Sequence, residues 1–452
     1  MAKPHTQFVC QTCGASYPKW TGRCANCGTW NSLVEQLPEP ARDEKSAVGR
    51  SQLSGQLLQP IAMRDLETSA RETRYSTGFP DLDVVLGGGI LAGSVSLLAG
   101  QPGIGKSTIL MQICAHISRG HSVLYVSGEE SASQVKLRAL RLGADSDQLK
   151  FASSTSANDI AKTIATGDFN LVIVDSIQTL TIAEISSAPG GVAQVTNCGN
   201  LIIRAAKASN TAVIIVGHVT KEGTLAGPKV LEHLVDVVLN FEGDRYGGFK
   251  VIRAVKNRFG STSEAAIFAM GKTGLSEVKN PSATLLAERH NTDGSIILAT
   301  LEGTRPLLVE IQALATPTSY GYPKRTASGF DLNRLNLLLA VLERRTKLTL
   351  SDKDIFINVV GGMKLQDSAA DLAVCLAIAS AVAGRKLAED YVVFGEVGLG
   401  GEIRSVFRPD QRIAEAKKLG FKHAIAPATI KDTFVIPVSD LRETLIKYVN
   451  ER

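Results

Sequence analysis

No stretch of this 452-residue chain is apolar for long enough to cross a bilayer, and no apolar segment near its start resembles a signal peptide. Both absences point to a cytoplasmic protein. No internal repeat is evident. Neither sign of charge dominates: 49 Lys and Arg against 44 Asp and Glu give a formal net charge of +5. Such a balance permits a nucleic-acid partner without arguing for one, so any basic surface must be local. Cysteine is scarce, and four of the seven cluster within the first thirty residues. That usage suits a reducing compartment and a metal site better than a disulfide framework. Tryptophan is scarcer still; both copies, Trp20 and Trp30, lie beside those cysteines. The apolar fraction, 44%, is ordinary, and the length allows two to four domains, each with a core.

The chain is organised around Gly100-Gln101-Pro102-Gly103-Ile104-Gly105-Lys106-Ser107, followed by Thr108. Every fixed position of G-x-x-x-x-G-K-[ST] is met. Ser94 to Ala99 ahead of it reads as a short buried strand. Behind it Ile109, Leu110, Ile113, Cys114 and Ile117 recur at helical spacing. Strand, glycine-rich loop and helix together wrap backbone N–H groups around phosphates at a helix N-terminus. ATP is the expected ligand, with Lys106 reaching the β- and γ-phosphates and the Ser107 hydroxyl on Mg²⁺.

Cys10-x-x-Cys13-Gly14 and Cys24-x-x-Cys27-Gly28 are two tight turns ten residues apart. They read as a four-cysteine Zn²⁺ site, because a tetrahedral ion takes soft ligands in pairs. A redox role is the rival reading, but it needs no second copy. Trp20 and Trp30 are expected to cover the metal. Such ribbons dock on nucleic acid or on protein, and Lys19 and Arg23 leave both open. Residues 35–60 are polar, carry Pro38 and Pro40, and read as a linker leaving the finger mobile.

Thr77-Gly-Phe-Pro-Asp-Leu-Asp83 leads through Gly87-Gly88-Gly89 into the phosphate loop. This lead-in resembles the RecA/KaiC group of P-loop ATPases. Ser122 to Val126 reads as a strand ending in Ser127-Gly128-Glu129-Glu130. By the resemblance Glu129 aligns best with the catalytic glutamate, and Glu130 is a close second. Leu171 to Asp175 is an apolar strand ending in an acid, expected to hold Mg²⁺ through water with Ser176 placed to assist. Thr211 to Gly217 is a further core strand delivering His218, either to sense the γ-phosphate or to cap the strand. Ala183–Asn200 and Thr220–Lys229 read as loops rich in small residues, the second with lysines. In RecA-like rings such loops grip single-stranded DNA; plain surface loops are the alternative. Neither carries an aromatic residue, so base stacking is not supported there.

Val237–Phe241 and Phe249–Val255 form a hairpin by their turn residues and end in Lys256-Asn257-Arg258-Phe259-Gly260. This pentapeptide, with the four-cysteine start and the phosphate loop, resembles the RadA (Sms) family of bacterial DNA repair proteins. The resemblance implies that Lys256 and Arg258 act across a subunit interface on a neighbour's ATP; a direct DNA contact by Arg258 is a separate possibility. Further on, the strands at Ile296–Thr300 and Leu307–Leu314, the stripe through Leu335, Leu338, Leu339 and Leu342, and the strand pair with a glycine turn at Phe394–Ile403 resemble the Lon protease domain. Ala369 stands where that family's serine belongs and Asp410 where its lysine belongs, with Ser368 one position off. The resemblance therefore implies an inactive protease fold kept as a scaffold. Arg404, Arg408, Arg412, Lys417 and Lys418 make a basic region, either a hold for duplex DNA or a solvated face.

The expected architecture is α/β throughout: a zinc ribbon-like finger at 1–34, a linker at 35–60, a RecA-like P-loop ATPase core at 61–280, and a Lon-protease-like α/β domain at 281–452. The resemblance implies an ATP-driven motor or helicase on single-stranded and branched DNA in recombinational repair. It also implies a hexameric ring and a RecA partner. A KaiC-like regulatory ATPase binding proteins and no DNA is the alternative. An ATP-dependent protease is opposed by Ala369 and Asp410.

Overall fold

The computed structural model describes residues 7–11, 15–36, 62, 73–218, 230–243, 249–318 and 321–450. They fall into two compact units, Met1–Leu239 with Val255–Gly260, and Asn240–Ala254 with Ser261–Arg452. Cys13, the segment Thr220–Lys229 and most of the expected linker lie outside the described residues.

The first unit opens with three short antiparallel strands, β1 (Gln7–Cys10), β2 (Ser16–Tyr17) and β3 (Leu33–Gln36), in the order β2-β1-β3. Cys10, Cys24 and Leu33 are its buried apolar cluster, too little to fold on hydrophobic burial alone. The remaining elements are β4 (Arg74–Tyr75), α1 (Pro80–Val85), β5 (Ile90–Leu91), β6 (Val95–Gly100), α2 (Lys106–Ile117), β7 (Val123–Ser127), α3 (Ala132–Arg141) and β8 (Leu149–Ser153). Then come α4 (Ala157–Ala165), β9 (Leu171–Asp175), α5 (Val192–Ser209), β10 (Ala212–His218) and α6 (Val230–Leu234). Strands β11 (Val237–Gly243) and β12 (Phe249–Asn257) each have residues in both units. The strand order is β11-β6-β10-β9-β7-β8, and the last five are parallel. Every residue of β6, β7 and β9 is buried, as expected of a parallel sheet covered on both faces. Register pairs Ser127 with Asp175 and His218 with Gly100. The ends of four strands therefore meet at one edge of the sheet, where such folds bind ligands.

The second unit contains β13 (Ala265–Gly271), β14 (Gly274–Glu277), α7 (Pro281–Leu286), β15 (Ser295–Glu302), β16 (Arg305–Pro317), β17 (Arg325–Ser328), α8 (Leu332–Val341) and β18 (Lys353–Val359). It continues with α9 (Ala370–Ala383), β19 (Tyr391–Val393), β20 (Glu396–Val397), β21 (Ile403–Arg404), α10 (Pro409–Lys418), β22 (His423–Pro427), β23 (Val435–Val438) and α11 (Leu441–Leu445). Seven strands form a mixed sheet, β17-β18-β16-β15-β19-β22-β23, with α9 packed on β15 and β16. The run Leu372-Ala-Val-Cys-Leu-Ala-Ile-Ala379 is apolar on every side and buried, so α9 is a central helix.

Three expectations change here. Half of the segment read as a loop at Ala183–Asn200 is the start of α5. Its buried Gln194 pins residues 182–187: Oε1 accepts from Ile182 N at 2.9 Å, and Nε2 donates to the carbonyls of Ile185 at 3.0 Å and Ser187 at 3.1 Å. The finger is not free of the ATPase core either. Strand β3 packs on α5, where Asn197 Nδ2 donates to Glu35 O at 3.0 Å and Ser186 Oγ to the Glu35 carboxylate at 3.2 Å. Finally, Arg412 is no part of a basic surface. It is buried, with Nη1 2.6 Å from Asp367 Oδ2 and 2.8 Å from Ala299 O. Arg404 is paired with Glu402, Lys417 with Asp432 and Lys418 with Glu415, which further thins that region.

Candidate nucleotide and metal sites

The phosphate loop leaves β6 at Gly100 and enters α2 at Lys106. Gly105 caps that helix at φ 116°, a left-handed conformation that a side chain resists. Ile104 is buried and anchors the loop, while Pro102 and Gly103 form its exposed crest. Thr108 N donates back to Gly105 O at 3.1 Å. Lys106 is buried and folds across its own loop, donating to Gly100 O at 2.8 Å and Gln101 O at 3.1 Å. Burial lowers its pKa to about 8, against the opposing pull of Asp175 and Glu129. An incoming polyphosphate adds further counter-charge to this buried lysine.

Strands β7, β9 and β10 bring the acids and the histidine to the same place. Ser107 Oγ donates to Asp175 Oδ2 at 2.8 Å. A hydroxyl and a carboxylate so placed are the hard oxygen donors that fit Mg²⁺. His218 bridges the site: Nδ1 lies 3.2 Å from Lys106 Nζ and Nε2 lies 3.3 Å from Glu129 Oε1. Ser176 Oγ also donates to Glu129. Glu130 turns instead to Arg138 on α3, in an ion pair. The two adjacent acids are thus distinguished by direction, and only Glu129 faces Lys106 and His218.

Tyr125 was not singled out from sequence. Its buried hydroxyl donates to Asp175 Oδ2 at 2.5 Å, and burial followed by the Asp175 charge raises its pKa well above the ordinary phenol value. Strand alternation puts Tyr125 on the face of Ser127, but its partner depends on the β7–β9 register.

Lys256 and Arg258 are not among the groups around Lys106. Lys256 Nζ donates to three carbonyls at the end of α6: Glu232 at 2.9 Å, His233 at 3.0 Å and Val235 at 2.7 Å. Burial and the nearby Arg258 lower its pKa. Arg258 Nη1 lies 3.3 Å from Asp236 Oδ1, an atom it shares with Lys207 Nζ at 3.2 Å. The Asp236 carboxylate also accepts from Val95 N at 3.1 Å, tying this pair of cations to the start of β6.

In the finger, the sulfur atoms of Cys10, Cys24 and Cys27 lie within 4.8 Å of one another, and Cys10 and Cys27 are 3.6 Å apart. A tetrahedral Zn²⁺ with Zn–S near 2.3 Å sets sulfurs about 3.8 Å apart, so three described sulfurs already fit the metal. The Tyr17 hydroxyl and backbone N–H groups hold the Cys24 thiol below its ordinary pKa, which favours the thiolate ligand. Trp20 and Trp30, expected to cover the metal, are largely open to solvent, at 55% and 70% exposed.

In the second unit Ala369 is fully buried at the start of α9, and Asp410 is exposed on the first turn of α10. Ser368 Oγ donates to Glu396 Oε2 at 2.8 Å.

Family models match three parts of the chain: a rubredoxin metal binding domain over residues 8–35, an AAA domain over 63–224, and subunit ChlI of Mg-chelatase over 337–430. Fold and site together define a RecA-like P-loop ATPase, using ATP and Mg²⁺, joined to a zinc ribbon and a Lon-like domain. Curated proteins called "DNA repair protein RadA" align along almost the whole chain. That of Bacillus subtilis is 48% identical over 97% of this chain and 95% of its own. That of Pseudomonas aeruginosa is 48% identical over 94% of each, and that of Aquifex aeolicus 44% identical over 98% and 99%. The chain belongs to the RadA family of DNA repair proteins.

Proposed function

We propose that this protein is an ATP-driven motor that moves along single-stranded DNA and migrates branched recombination intermediates, acting in the cytoplasm as a ring, with RecA as a partner. The observation that carries the reading is the convergence of Lys106, Ser107, Asp175, Glu129 and His218 at one sheet edge. Bound ATP supplies the reactive phosphoanhydride. Lys106 and the loop amides orient its phosphates, and Ser107 with Asp175 holds the metal. Glu129 takes the proton of the attacking water, and His218 reads whether a γ-phosphate is present. The Cys10, Cys13, Cys24 and Cys27 thiolates hold Zn²⁺, and the Lon-like unit is a scaffold without protease activity.

Hydrolysis is completed from the next subunit. Arg258 is 54% exposed and uses one guanidinium nitrogen on Asp236, so its other donors are free for a phosphate. An ammonium has three N–H donors, and all three of Lys256 are engaged within its own chain. Lys256 must release the α6 carbonyls to act across the interface, which makes Arg258 the readier of the two cations.

The test is a joint molecule of three DNA strands, with ATP or a slowly hydrolysed analogue. ATP-dependent extension of the heteroduplex, abolished by Lys106→Ala, supports the motor. DNA binding without ATP-driven strand movement contradicts it and favours a regulatory ATPase.

A further inference from the structure

A thirty-residue metal ribbon has little interior, yet this one holds both tryptophans of the chain. Both indoles sit at Gly22. A Cβ placed there would lie 3.7 Å from the Trp30 ring and 3.8 Å from the Trp20 ring, ordinary contact distances. The rings therefore flank one bare stretch of backbone. A local bridge pairs Arg23 with Trp30, and Asn31 N donates to Gly22 O at 2.8 Å. The Arg23 guanidinium lies 5.8 Å from the Trp30 centroid, and its Nε is fixed to Gly28 O at 2.8 Å. Lys19 and Arg23 are exposed, and no Asp or Glu occurs before Glu35. The face thus combines two open aromatic rings, an arginine held beside one of them and a second cation, within a stretch of sequence that holds no Asp or Glu before Glu35.

We propose that this face is a stacking platform for single-stranded DNA, with Trp20 and Trp30 receiving bases and Arg23 and Lys19 meeting the backbone phosphates. It rests on the reading of DNA as the substrate, and adds a second point of contact outside the ATPase ring. Aromatic stacking with flanking cations is how sequence-tolerant single-strand sites are built. The ATPase segments expected to contact DNA, Ala183–Asn200 and Thr220–Lys229, contain no aromatic residue. Base stacking, where it occurs, must therefore be supplied elsewhere, and the ribbon presents the rings for it. The ribbon is also positioned, because Glu35 is held by Asn197 and Ser186 next to the pinned 182–187 segment. A protein-docking face would use the same rings, but it gives no reason for the missing carboxylates.

Both tryptophans lie in the platform, so the emission of the zinc-loaded full chain, excited at wavelengths beyond tyrosine absorption, reads this site alone. Oligo(dT) is titrated against an abasic oligonucleotide of equal length. Oligo(dT) is expected to quench the emission and the abasic strand to leave it unmoved. Trp20→Ala and Trp30→Ala are each expected to weaken oligo(dT) binding by about fivefold to a hundredfold, with zinc content retained and with partial rescue by Phe. Equal affinity of the wild type and the zinc-retaining double variant, read from the anisotropy of labelled oligo(dT) because that variant has no tryptophan, overturns the platform while leaving the motor intact. So does emission that responds only to a protein partner. A wild type that binds no DNA at all sinks the motor reading first, a distinguishable failure.

Discussion

Arg412→Met replaces a buried guanidinium by an apolar chain of similar length. Arg412 is 1% exposed and lies over Phe394 at 5.9 Å, with Nη1 2.6 Å from Asp367 Oδ2. Removing one member of a buried pair costs about 3–5 kcal/mol, because the other charge is stranded. Asp367 keeps some support: Thr300 Oγ1 at 3.0 Å, Leu301 N at 3.2 Å and Ala369 N at 3.0 Å. The lower end, about 3 kcal/mol, is therefore expected. Hydrogen exchange of the β15 and α10 amides is the assay, since it reports opening of this unit by itself. Exchange should speed up about a hundredfold, the rate equivalent of that free energy. The sign with pH follows from Asp367. Burial pushes its carboxyl up, but the Arg412 hydrogen bond and charge outweigh this and leave the pKa below the ordinary value. Its contribution is present above the unfolded carboxyl pKa and is lost as pH falls through the lowered folded one. The variant should lose this pH dependence: its deficit against the wild type should be largest at neutral pH and should shrink as pH falls through the Asp367 pKa. Unchanged protection with weakened DNA binding would refute the reasoning and return Arg412 to a DNA-contacting role.

The other predictions concern the nucleotide and metal sites. Glu129→Gln should lower kcat by about 10²–10⁴-fold with ATP binding kept, whereas Glu130→Gln should break the Arg138 pair and leave hydrolysis largely intact; comparable losses from both would remove the distinction drawn from their directions. With the Lys106 pKa lowered to about 8, ATP affinity should fall as pH rises through that value, since the neutral amine offers no charge to phosphate; calorimetric titration across pH 7–10 checks this. In the absence of nucleotide the same shift should make the fold gain stability with rising pH, because the unfolded chain then binds more protons. Chelating the metal should unfold the ribbon, whose buried cluster is only Cys10, Cys24 and Leu33, and leave DNA-independent hydrolysis in place.

The phosphate loop is legible because its spacing is rigid: Gly100, Gly105, Lys106 and Ser107 each answer to a backbone need, a phosphate or the metal. Asp175 is legible from order alone, as an acid ending an apolar strand after that loop. Relations that need register are not. The Tyr125 hydroxyl reaches Asp175 only because β7 pairs with β9 in one alignment. The Ala183–Asn200 segment looks loop-like because small polar residues dominate it. The stripe Val195, Cys198, Ile202 and Ala206 carries helix α5 through that composition, and Gln194 has its polar needs met inside the core. Composition was equally misleading for Arg412, whose charge suggests a surface until Asp367 and Ala299 are brought against it. The tryptophans fail in the opposite sense. Large apolar rings predict burial, but so small a ribbon has no interior to take them.

The central claim is that hydrolysis is coupled to DNA through a cation supplied by the next subunit. ATP hydrolysis by wild type, Arg258→Ala and Lys256→Ala, with and without single-stranded DNA, tests it most directly. The account predicts stimulation by DNA in the wild type, lost in Arg258→Ala and reduced in Lys256→Ala while both variants still bind DNA. Hydrolysis indifferent to DNA, with no binding even at low salt, would contradict it.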